Sequence, residues 1–374
     1  MYDRRGAPGW TPETENKEAQ EMRAWKIGLA AGVLSWLFLS AGPASAEDPV
    51  KMRVLGGFTK QIQSTHVEQP FFNKLGDDSG GRIDVQFRTM DELGQRGFQG
   101  LRQLRTGVFD VMTLQLGYVS GEDPFFQGVD LVGVSPDIET ARKVADAYRK
   151  QFDKRLQEKF GGKLLAIWPY GDQIFWFKGG IVGLDDFKGK KIRVFSKPMS
   201  DFVTRFGATG VTLAFPEVYT SLQRGVIDGA VTGALAGNTA SWYEVSDHIY
   251  PMPMGFSIQL HVANLDYWNK LPEDVKSFLE NKFSELEEEL WRIGGEATQD
   301  GINCNTGQGA CKYGSKADMT LIPVSDEDRA RMKTAVEEVI LPAWAKAANR
   351  IDPNASSIWN ETIGKVVDMT IKAE

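Results

Sequence analysis

Residues 184–196 read Leu-Asp-Asp-Phe-Lys-Gly-Lys-Lys-Ile-Arg-Val-Phe-Ser, and residues 213–229 read Leu-Ala-Phe-Pro-Glu-Val-Tyr-Thr-Ser-Leu-Gln-Arg-Gly-Val-Ile-Asp-Gly. The first segment predicts a short strand, 191–195, with Arg193 among apolar neighbours whose side chains we expect to be buried. A buried guanidinium needs an anion, and its planar fork matches the two oxygens of a carboxylate. The segment therefore predicts a site that selects organic acids.

A second interpretation of Arg193 stays open from the sequence. The side chain could instead lie at the surface of its strand and pair with Asp185 or Asp186. Such an exposed ion pair contributes little to stability and would carry no binding function. The apolar neighbours Ile192 and Val194 favour the buried arrangement.

The first 46 residues are predicted to form a signal peptide for export. Positive charge follows Met22, residues 27–39 form a short apolar run, and the Ala-Ser-Ala of residues 44–46 has the small-x-small pattern of a cleavage site. Residues 1–21 are polar and suit neither a signal nor a domain, so translation is hypothesised to begin at Met22. The alternative of an uncleaved membrane anchor is disfavoured because the run is too short to span a bilayer comfortably.

Charge and motif content argue against two functional classes. The chain of 374 residues carries a net charge of −7 and has no basic cluster, so we expect no nucleic-acid partner. It contains three histidines and none of the common nucleophile, zinc or phosphate-loop motifs. We therefore predict no enzymatic activity, while an exported two-lobed α/β hydrolase or lyase remains the alternative.

Both cysteines lie in one Gly/Asn-rich segment. Cys304 and Cys311 are separated by a short stretch that we expect to be a flexible loop. Export to an oxidising compartment favours a local disulfide between them. A metal site would need further ligands at suitable spacing, and the three histidines are distant in sequence. We expect neither a metal nor another cofactor.

The order of predicted elements indicates an α/β fold with two lobes. A β-α-β-α-β pattern follows the signal, and it is repeated after residue 190, as expected for two mostly parallel sheets covered by helices. We predict that residues 47–172 form mainly lobe 1 and 173–262 mainly lobe 2. Residues 263–374 are predicted to form C-terminal helices that pack on both lobes, including one long helix that begins near Leu271.

Five aromatic residues lie near the predicted crossing between the lobes, where a ligand pocket is expected. At least half of them are expected to pack in the core rather than to line the pocket. They are Trp168, Tyr170, Phe175, Trp176 and Phe177.

Two segments resemble the periplasmic solute receptors of tripartite ATP-independent (TRAP) transporters, the DctP-like family, also called solute-binding protein family 7. Residues 185–194 are similar to its D-L-K-G-L-K-I-R-V pattern, and residues 215–229 to its F-x-E-V-Y-x-A-L-Q-x-G-V-V-D-G pattern. The resemblance extends to residues 92–94, 107–110, 242–245 and 267–274. Nearly the whole exported part of the chain is therefore covered.

The resemblance implies a periplasmic binding protein fold that closes on its ligand in a cleft between the lobes. It implies that a small organic acid is passed to the small and large membrane subunits of a TRAP permease, and that the protein resides in the periplasm. A homodimer formed through the long C-terminal helix is a further expectation to be tested. A receptor for an ATP-driven importer would have a similar fold, but the motif resemblance argues against it. A ligand-sensing subunit of a membrane signalling protein stays an alternative, because its binding lobe would look alike.

The resemblance also implies roles for individual residues. Arg193 would bind the ligand carboxylate, and Phe215 would line the pocket. Sialic-acid receptors of the family have a second arginine where Gln173 stands, and metal-bridged members have an acid near Thr232, where this chain has none. We therefore predict a monocarboxylate with an apolar or aromatic body, and Thr232 as a neutral hydrogen-bond donor. Further candidate ligand contacts are Trp168, Tyr170, Phe58, Tyr118, Ser196 and Trp242.

Overall fold

The computed structural model describes residues 48–372. The predicted signal peptide lies outside these residues. The other elements predicted from the sequence lie within them and can be compared with the structure. The described strands are β1 Val50–Gly56, β2 Ile83–Thr89, β3 Val111–Gln115, β4 Gly162–Phe177, β5 Lys191–Val194, β6 Thr209–Thr212, β7 Gly229–Gly233, β8 His248–Tyr250, β9 Phe256–Asn264 and β10 Thr320–Leu321. The α-helices are α1 Gln69–Asp78, α2 Gly100–Thr106, α3 Leu116–Val119, α4 Ile138–Arg155, α5 Lys197–Arg205, α6 Val218–Gln223, α7 Ala234–Thr239, α8 Leu265–Lys270, α9 Glu273–Thr306, α10 Asp326–Ala335, α11 Leu341–Asn349, α12 Ala355–Trp359 and α13 Lys365–Val367.

One continuous path of strands runs through the protein in the order β2-β1-β3-β9-β4-β7-β5-β6, and β8 and β10 lie to its side. In the first half, β1 is parallel to β2 and β3, and β9 is antiparallel to β3 and to the beginning of β4. In the second half, β5 is parallel to β6 and β7, and β7 is antiparallel to the end of β4. We call these half-sheets, with their covering helices, lobe 1 and lobe 2. The predicted two-lobed α/β fold is thus present.

The crossing between the lobes differs from the sequence prediction. Residues 164–168 and 174–177 were expected to form two strands, but β4 is one strand of 16 residues that belongs to both half-sheets. Pro169 and Gly171 suggest a break in the sequence, yet they only shift the pairing register between Pro169 and Asp172. The local irregularity therefore bends one strand from lobe 1 into lobe 2.

Strand β9 has no counterpart among the strands predicted from the sequence. Each of its nine residues is buried, so it lacks the alternating pattern by which half-exposed strands are recognised. It pairs with β3 and with the lobe 1 part of β4. The division of the chain at residues 172 and 262 stays a prediction.

Helix α9 contacts both lobes along its 34 residues. Trp291 on this helix donates a hydrogen bond from Nε1 to the carbonyl of Ile167 in the first part of β4, at 2.7 Å. Near its C-terminus, Asn305 donates from Nδ2 to the carbonyl of Ala234 in α7, at 2.9 Å. The long helix predicted from the sequence is therefore present and bridges the two lobes.

The predicted disulfide joins Cys304 to Cys311. The flexible loop that was expected between the cysteines begins later, because Cys304 still belongs to the last turns of α9. The helix continues to Thr306 and ends at Gly307, which adopts a left-handed conformation with φ of 68°. The bond therefore fixes the end of α9 to the segment that follows it.

No helix within residues 48–372 combines the length and the apolar character that crossing a membrane requires.

Asp172, at the crossing, is expected to make the stability of the protein dependent on pH. Burial raises the pKa of its carboxyl well above the usual range, although Oδ1 accepts a hydrogen bond from the Gly255 amide at 3.0 Å. Because the folded protein holds this proton more tightly than the unfolded chain, the free energy of unfolding should fall as the pH rises above about 4 toward the raised folded pKa.

The D172N variant is expected to reduce this decline, since asparagine keeps an acceptor oxygen for Gly255 and cannot ionise. Urea unfolding at a series of pH values measures the effect. The exposed Asp266 offers a control, and D266N should retain the wild-type decline. Equal pH profiles for D172N and the wild type would show that Asp172 does not contribute.

Candidate functional site

Arg193 is buried at the cleft between the lobes, with 1% of its surface exposed. Its Nε donates to the carbonyl of Leu213 at 3.0 Å, and its Nη1 donates to the carbonyl of Val231 at 2.7 Å. Its Nη2 donates to the hydroxyl of Tyr118 at 3.0 Å. These acceptors, which all belong to residues 48–372, are neutral, and no carboxylate is among them. Two carbonyl groups and one hydroxyl therefore hold the guanidinium in place, and its positive charge has no hydrogen-bonded carboxylate among the described residues.

The surface interpretation of Arg193 is excluded by this arrangement. Asp185 pairs instead with Arg331, at 2.8 Å between Oδ1 and Nη2. Asp186 accepts a hydrogen bond from the amide of Val182, at 2.7 Å. Both acids therefore serve contacts outside the strand that carries Arg193.

A small cavity of about 10 Å³ lies next to the guanidinium. Its lining residues come from both lobes: Phe58, Gln61, Gln115, Tyr118, Tyr170, Gln173, Arg193, Phe195, Phe215, Thr232 and Ala236. This volume holds about one water molecule, so it is too small for an organic acid. Ligand entry therefore requires the lobes to separate or the lining side chains to move.

The topology explains why these residues meet. Gln115 ends β3, Phe195 directly follows β5, and Thr232 lies at the end of β7. The carboxyl ends of parallel strands in an α/β sheet form the crevice in which ligands commonly bind. Each lobe presents such an edge to the other, so residues that are distant in sequence converge on one cavity.

Seven of the ten predicted ligand-binding residues line this cavity: Arg193, Gln173, Phe215, Thr232, Tyr170, Phe58 and Tyr118. The structure does not bring the other three to it. Trp168 stacks on His261 behind Tyr170, with ring centroids 5.5 Å apart. Ser196 caps the N-terminus of α5, and Trp242 packs behind Phe215 at 5.4 Å between centroids. These three residues therefore pack or cap a helix and do not line the cavity.

The remaining aromatic residues of the crossing pack in the core, as was expected for at least half of the five. Phe175 stacks on Phe177 at 6.0 Å between ring centroids, and Trp176 packs edge-on against Trp242 at 5.8 Å. None of the three lines the cavity. Tyr170 is therefore the member of this group that faces the candidate site.

Four lining residues were missed from the sequence: Gln61, Gln115, Phe195 and Ala236. Phe195 had a signal that could have been used, because it directly follows the strand of Arg193. Its ring lies 5.0 Å from the guanidinium carbon, a distance at which a cation–π interaction is favourable. The two glutamines gave no signal, since polar residues after strands are common in any α/β protein.

Burial shifts the pKa values of the two central groups without changing their charge at physiological pH. It lowers the pKa of the Arg193 guanidinium, which nevertheless stays protonated because its ordinary pKa is so high. Burial raises the pKa of the Tyr118 hydroxyl, so this group is a neutral phenol at physiological pH. Among residues 48–372, no group of three or more His, Cys, Asp or Glu side chains is placed to hold a metal ion.

Residues 56–347 match the model of the family described as bacterial extracellular solute-binding protein, family 7. The chain belongs to this family. The family includes DctP proteins and the solute receptors of TRAP transporters. This family is one of receptors, so the chain is a solute receptor and not an enzyme. The family description makes this chain an extracellular solute-binding protein, and its curated relatives include periplasmic binding proteins.

Three known proteins illustrate the similarity. The C4-dicarboxylate-binding periplasmic protein DctP of Rhodobacter capsulatus is 27% identical over 278 residues, which cover 73% of this chain and 79% of that protein. A TRAP periplasmic solute-binding protein of Desulfovibrio salexigens, solved with orotic acid, has a TM-score of 0.75 and 20% identity, covering 84% of this chain and 99% of that one. The pyroglutamic acid receptor DctP6 of Bordetella pertussis has a TM-score of 0.74 and 18% identity, covering 84% of this chain and all of that one. The two structures show that the fold is shared.

Proposed function

We propose that this protein is a TRAP solute receptor for a compact monocarboxylic acid, which it holds by lobe closure and delivers to its permease. The proposal rests on the hydrogen-bond donors of the buried Arg193 that remain free. A guanidinium has five N–H donors. One on each of its three nitrogens is used by Leu213, Val231 and Tyr118, which leaves one donor on Nη1 and one on Nη2. Two donors on adjacent terminal nitrogens suit the two oxygens of one carboxylate.

The charge of the cavity supports one carboxylate rather than two. Among the described residues that line the cavity, Arg193 is the single ionised side chain. A second carboxylate on the ligand would be buried without a cation, and burial of an unpaired charge is unfavourable. Gln173 stands where sialic-acid receptors of the family have a second arginine. Because glutamine is neutral, it supplies no cation for a second carboxylate.

The lining also favours a particular body for the acid. Phe58, Phe195 and Phe215 offer apolar faces, in keeping with the apolar or aromatic body predicted from the sequence. Gln115 donates from Nε2 to Ser257 Oγ at 3.2 Å, and Gln173 donates from Nε2 to the Gly171 carbonyl at 2.7 Å. Each amide thus keeps its carbonyl oxygen for a donor on the ligand. We propose an acid with a compact, partly apolar body that also carries N–H or O–H groups.

Several structural neighbours are in keeping with this chemistry. Their bound ligands include pyroglutamic acid, orotic acid and L-gulonate, each with one carboxylate and at least one N–H or O–H group. In contrast, the Rhodobacter capsulatus relative binds C4-dicarboxylates. We propose that this chain resembles the first group in ligand charge. We also propose that it is exported with a cleaved signal peptide, whereas homodimerisation stays a prediction.

A thermal-shift screen tests the proposal, because binding to the folded form raises the unfolding temperature. L-Pyroglutamate, orotate and L-gulonate represent monocarboxylates, and succinate and L-malate represent dicarboxylates. At equal concentrations we expect at least one monocarboxylate to raise the midpoint by several degrees and the dicarboxylates to have little effect. A larger shift with a dicarboxylate would contradict the proposed ligand class, and a broad acid library without any shift would contradict the receptor role.

A further inference from the structure

We propose that the Tyr118 hydroxyl couples lobe closure to the carboxylate-binding arginine, so that it slows ligand release without affecting ligand capture. This inference rests on the proposed function. Tyr118 lies in α3, directly after β3, and therefore belongs to lobe 1. Its hydroxyl oxygen accepts hydrogen bonds from Arg193 Nη2 at 3.0 Å and from the Phe215 amide at 2.9 Å. Both donors belong to lobe 2, so both bonds cross the cleft.

The Tyr118 ring packs against aromatic neighbours in its own lobe as well as against Phe195 of lobe 2, at 5.7 Å between ring centroids. The Tyr118 ring stacks on Phe98, with centroids 4.5 Å apart and an interplanar angle of 13°. It also packs against Phe58 at 6.0 Å. Because Phe98 and Phe58 come from the same lobe as Tyr118 and Phe98 makes the shortest ring contact, the ring should keep its orientation when the lobes separate and Phe195 moves away. Lobe opening would then remove Arg193 and the Phe215 amide from the hydroxyl and expose all three groups to water.

The remaining proton of Tyr118 points to a role with the ligand. Its oxygen accepts two hydrogen bonds, which leaves the O–H itself as a donor. A carboxylate bound to the free donors of Arg193 would have this O–H nearby. The hydroxyl would then accept from the guanidinium and donate to the anion, and such chains of hydrogen bonds strengthen one another in a buried site. This third contact can form only after the lobes have closed.

Two other contacts between the lobes are less suited to this role. Arg96 pairs with Glu217 at 2.7 Å, but 71% of the arginine side chain is exposed. Thr239 Oγ1 donates to the Lys60 carbonyl at 2.6 Å, also at an exposed position. Water competes for both of these contacts, and exposed ion pairs contribute little. The Tyr118 contacts are buried, with 3% of that residue exposed, and they include the ligand-binding arginine itself.

Stopped-flow fluorescence with L-pyroglutamate and with orotate tests the inference on the mature protein. The Y118F variant keeps the stacked ring and loses only the hydroxyl. We expect its dissociation rate constant to rise about tenfold, equivalent to about 1.4 kcal/mol, while its association rate constant stays within about twofold. Tyr148 provides a matched control, since its buried hydroxyl has no hydrogen-bond partner among residues 48–372. Y148F should leave both rate constants unchanged.

A second measurement needs no acid at all. Hydrogen exchange of the Phe215 amide reports the bond to Tyr118 directly. We expect faster exchange of this amide in Y118F and unchanged exchange in Y148F. Equal exchange in Y118F and the wild type would overturn the inference even if none of the acids bound, an outcome that would separately count against the proposed function.

The kinetic results can overturn the inference in three ways. Unchanged rates in Y118F would show that Tyr118 only packs. A large loss in the association rate constant would make the hydroxyl part of the initial capture of the acid rather than of closure. A higher affinity of Y118F would show that the hydroxyl competes with the carboxylate for Arg193.

Discussion

Replacing Arg193 by alanine is expected to lower the affinity for the bound acid at least about 100-fold. The carboxylate would lose two charge-assisted hydrogen bonds in a buried site, and truncating one partner of such a pair costs about 2–5 kcal/mol. Isothermal titration calorimetry of R193A and the wild type measures this loss. A circular dichroism melt establishes that R193A is folded, which matters because the carbonyls of Leu213 and Val231 lose their donor.

Two further variants identify the cause of the loss. R193K keeps the positive charge but not the planar fork, so it should bind more weakly than the wild type and more tightly than R193A. R331A removes an arginine that pairs with Asp185 away from the cavity, and it should leave the affinity unchanged. If R193A bound the acid as tightly as the wild type, the carboxylate would be held elsewhere.

Replacing Gly301 by alanine is expected to destabilise the protein by about 3 kcal/mol, near the upper end of overpacking effects. A Cβ at this position would overlap the backbone nitrogen of Leu235 and the carbonyl carbon of Ala234. Backbone atoms cannot move aside as a flexible side chain does, so α9 would have to shift away from α7. We expect the unfolding midpoint to fall by several degrees in a thermal melt.

Gly295 in the same helix provides the matched control. A Cβ there would have its nearest neighbour, Ile138 Cγ1, at an ordinary distance of 3.7 Å. G295A should therefore be neutral or stabilising by up to about 1 kcal/mol, because alanine has the higher helix propensity. Similar midpoints for G301A and G295A would show that the close approach of α9 to α7 is not required.

The central features of the fold were predictable where local signals and tertiary structure agree. The strand of Arg193 has apolar neighbours and a charged entrance, and helix α2 ends at Gly107, which adopts the left-handed conformation that favours glycine. The path of β4 could not be predicted, because Pro169 and Gly171 suggest an end to the strand and only pairing with β9 shows that it continues. The fully buried β9 lacked the alternation on which strand prediction depends.

The candidate site could be predicted only in part, because several of its residues are brought together by the tertiary structure and not by a local sequence pattern. Arg193 and Phe215 lie in segments with a specific family pattern, whereas Gln115 at the end of β3 and Gln61 in the loop after β1 reach the cavity only through the position of their strands in the sheet. Trp168 was predicted from its place among the aromatic residues near the crossing, and Trp242 lies in a segment that resembles the family. In the structure they lie one layer behind the cavity, and the depth of a side chain cannot be read from sequence spacing.

Comparing an acid with its own carboxamide tests directly whether Arg193 holds the carboxylate of the ligand. The two molecules have nearly the same shape, but the amide lacks the negative charge and one acceptor oxygen. Calorimetric titration of the wild-type protein should be carried out with the monocarboxylate that gives the largest thermal shift, and with its primary amide. We expect the acid to bind at least about 100-fold more tightly than the amide, a difference that R193A should abolish. Equal affinities of the wild-type protein for acid and amide would contradict the assignment of Arg193 as the carboxylate anchor of an organic acid receptor.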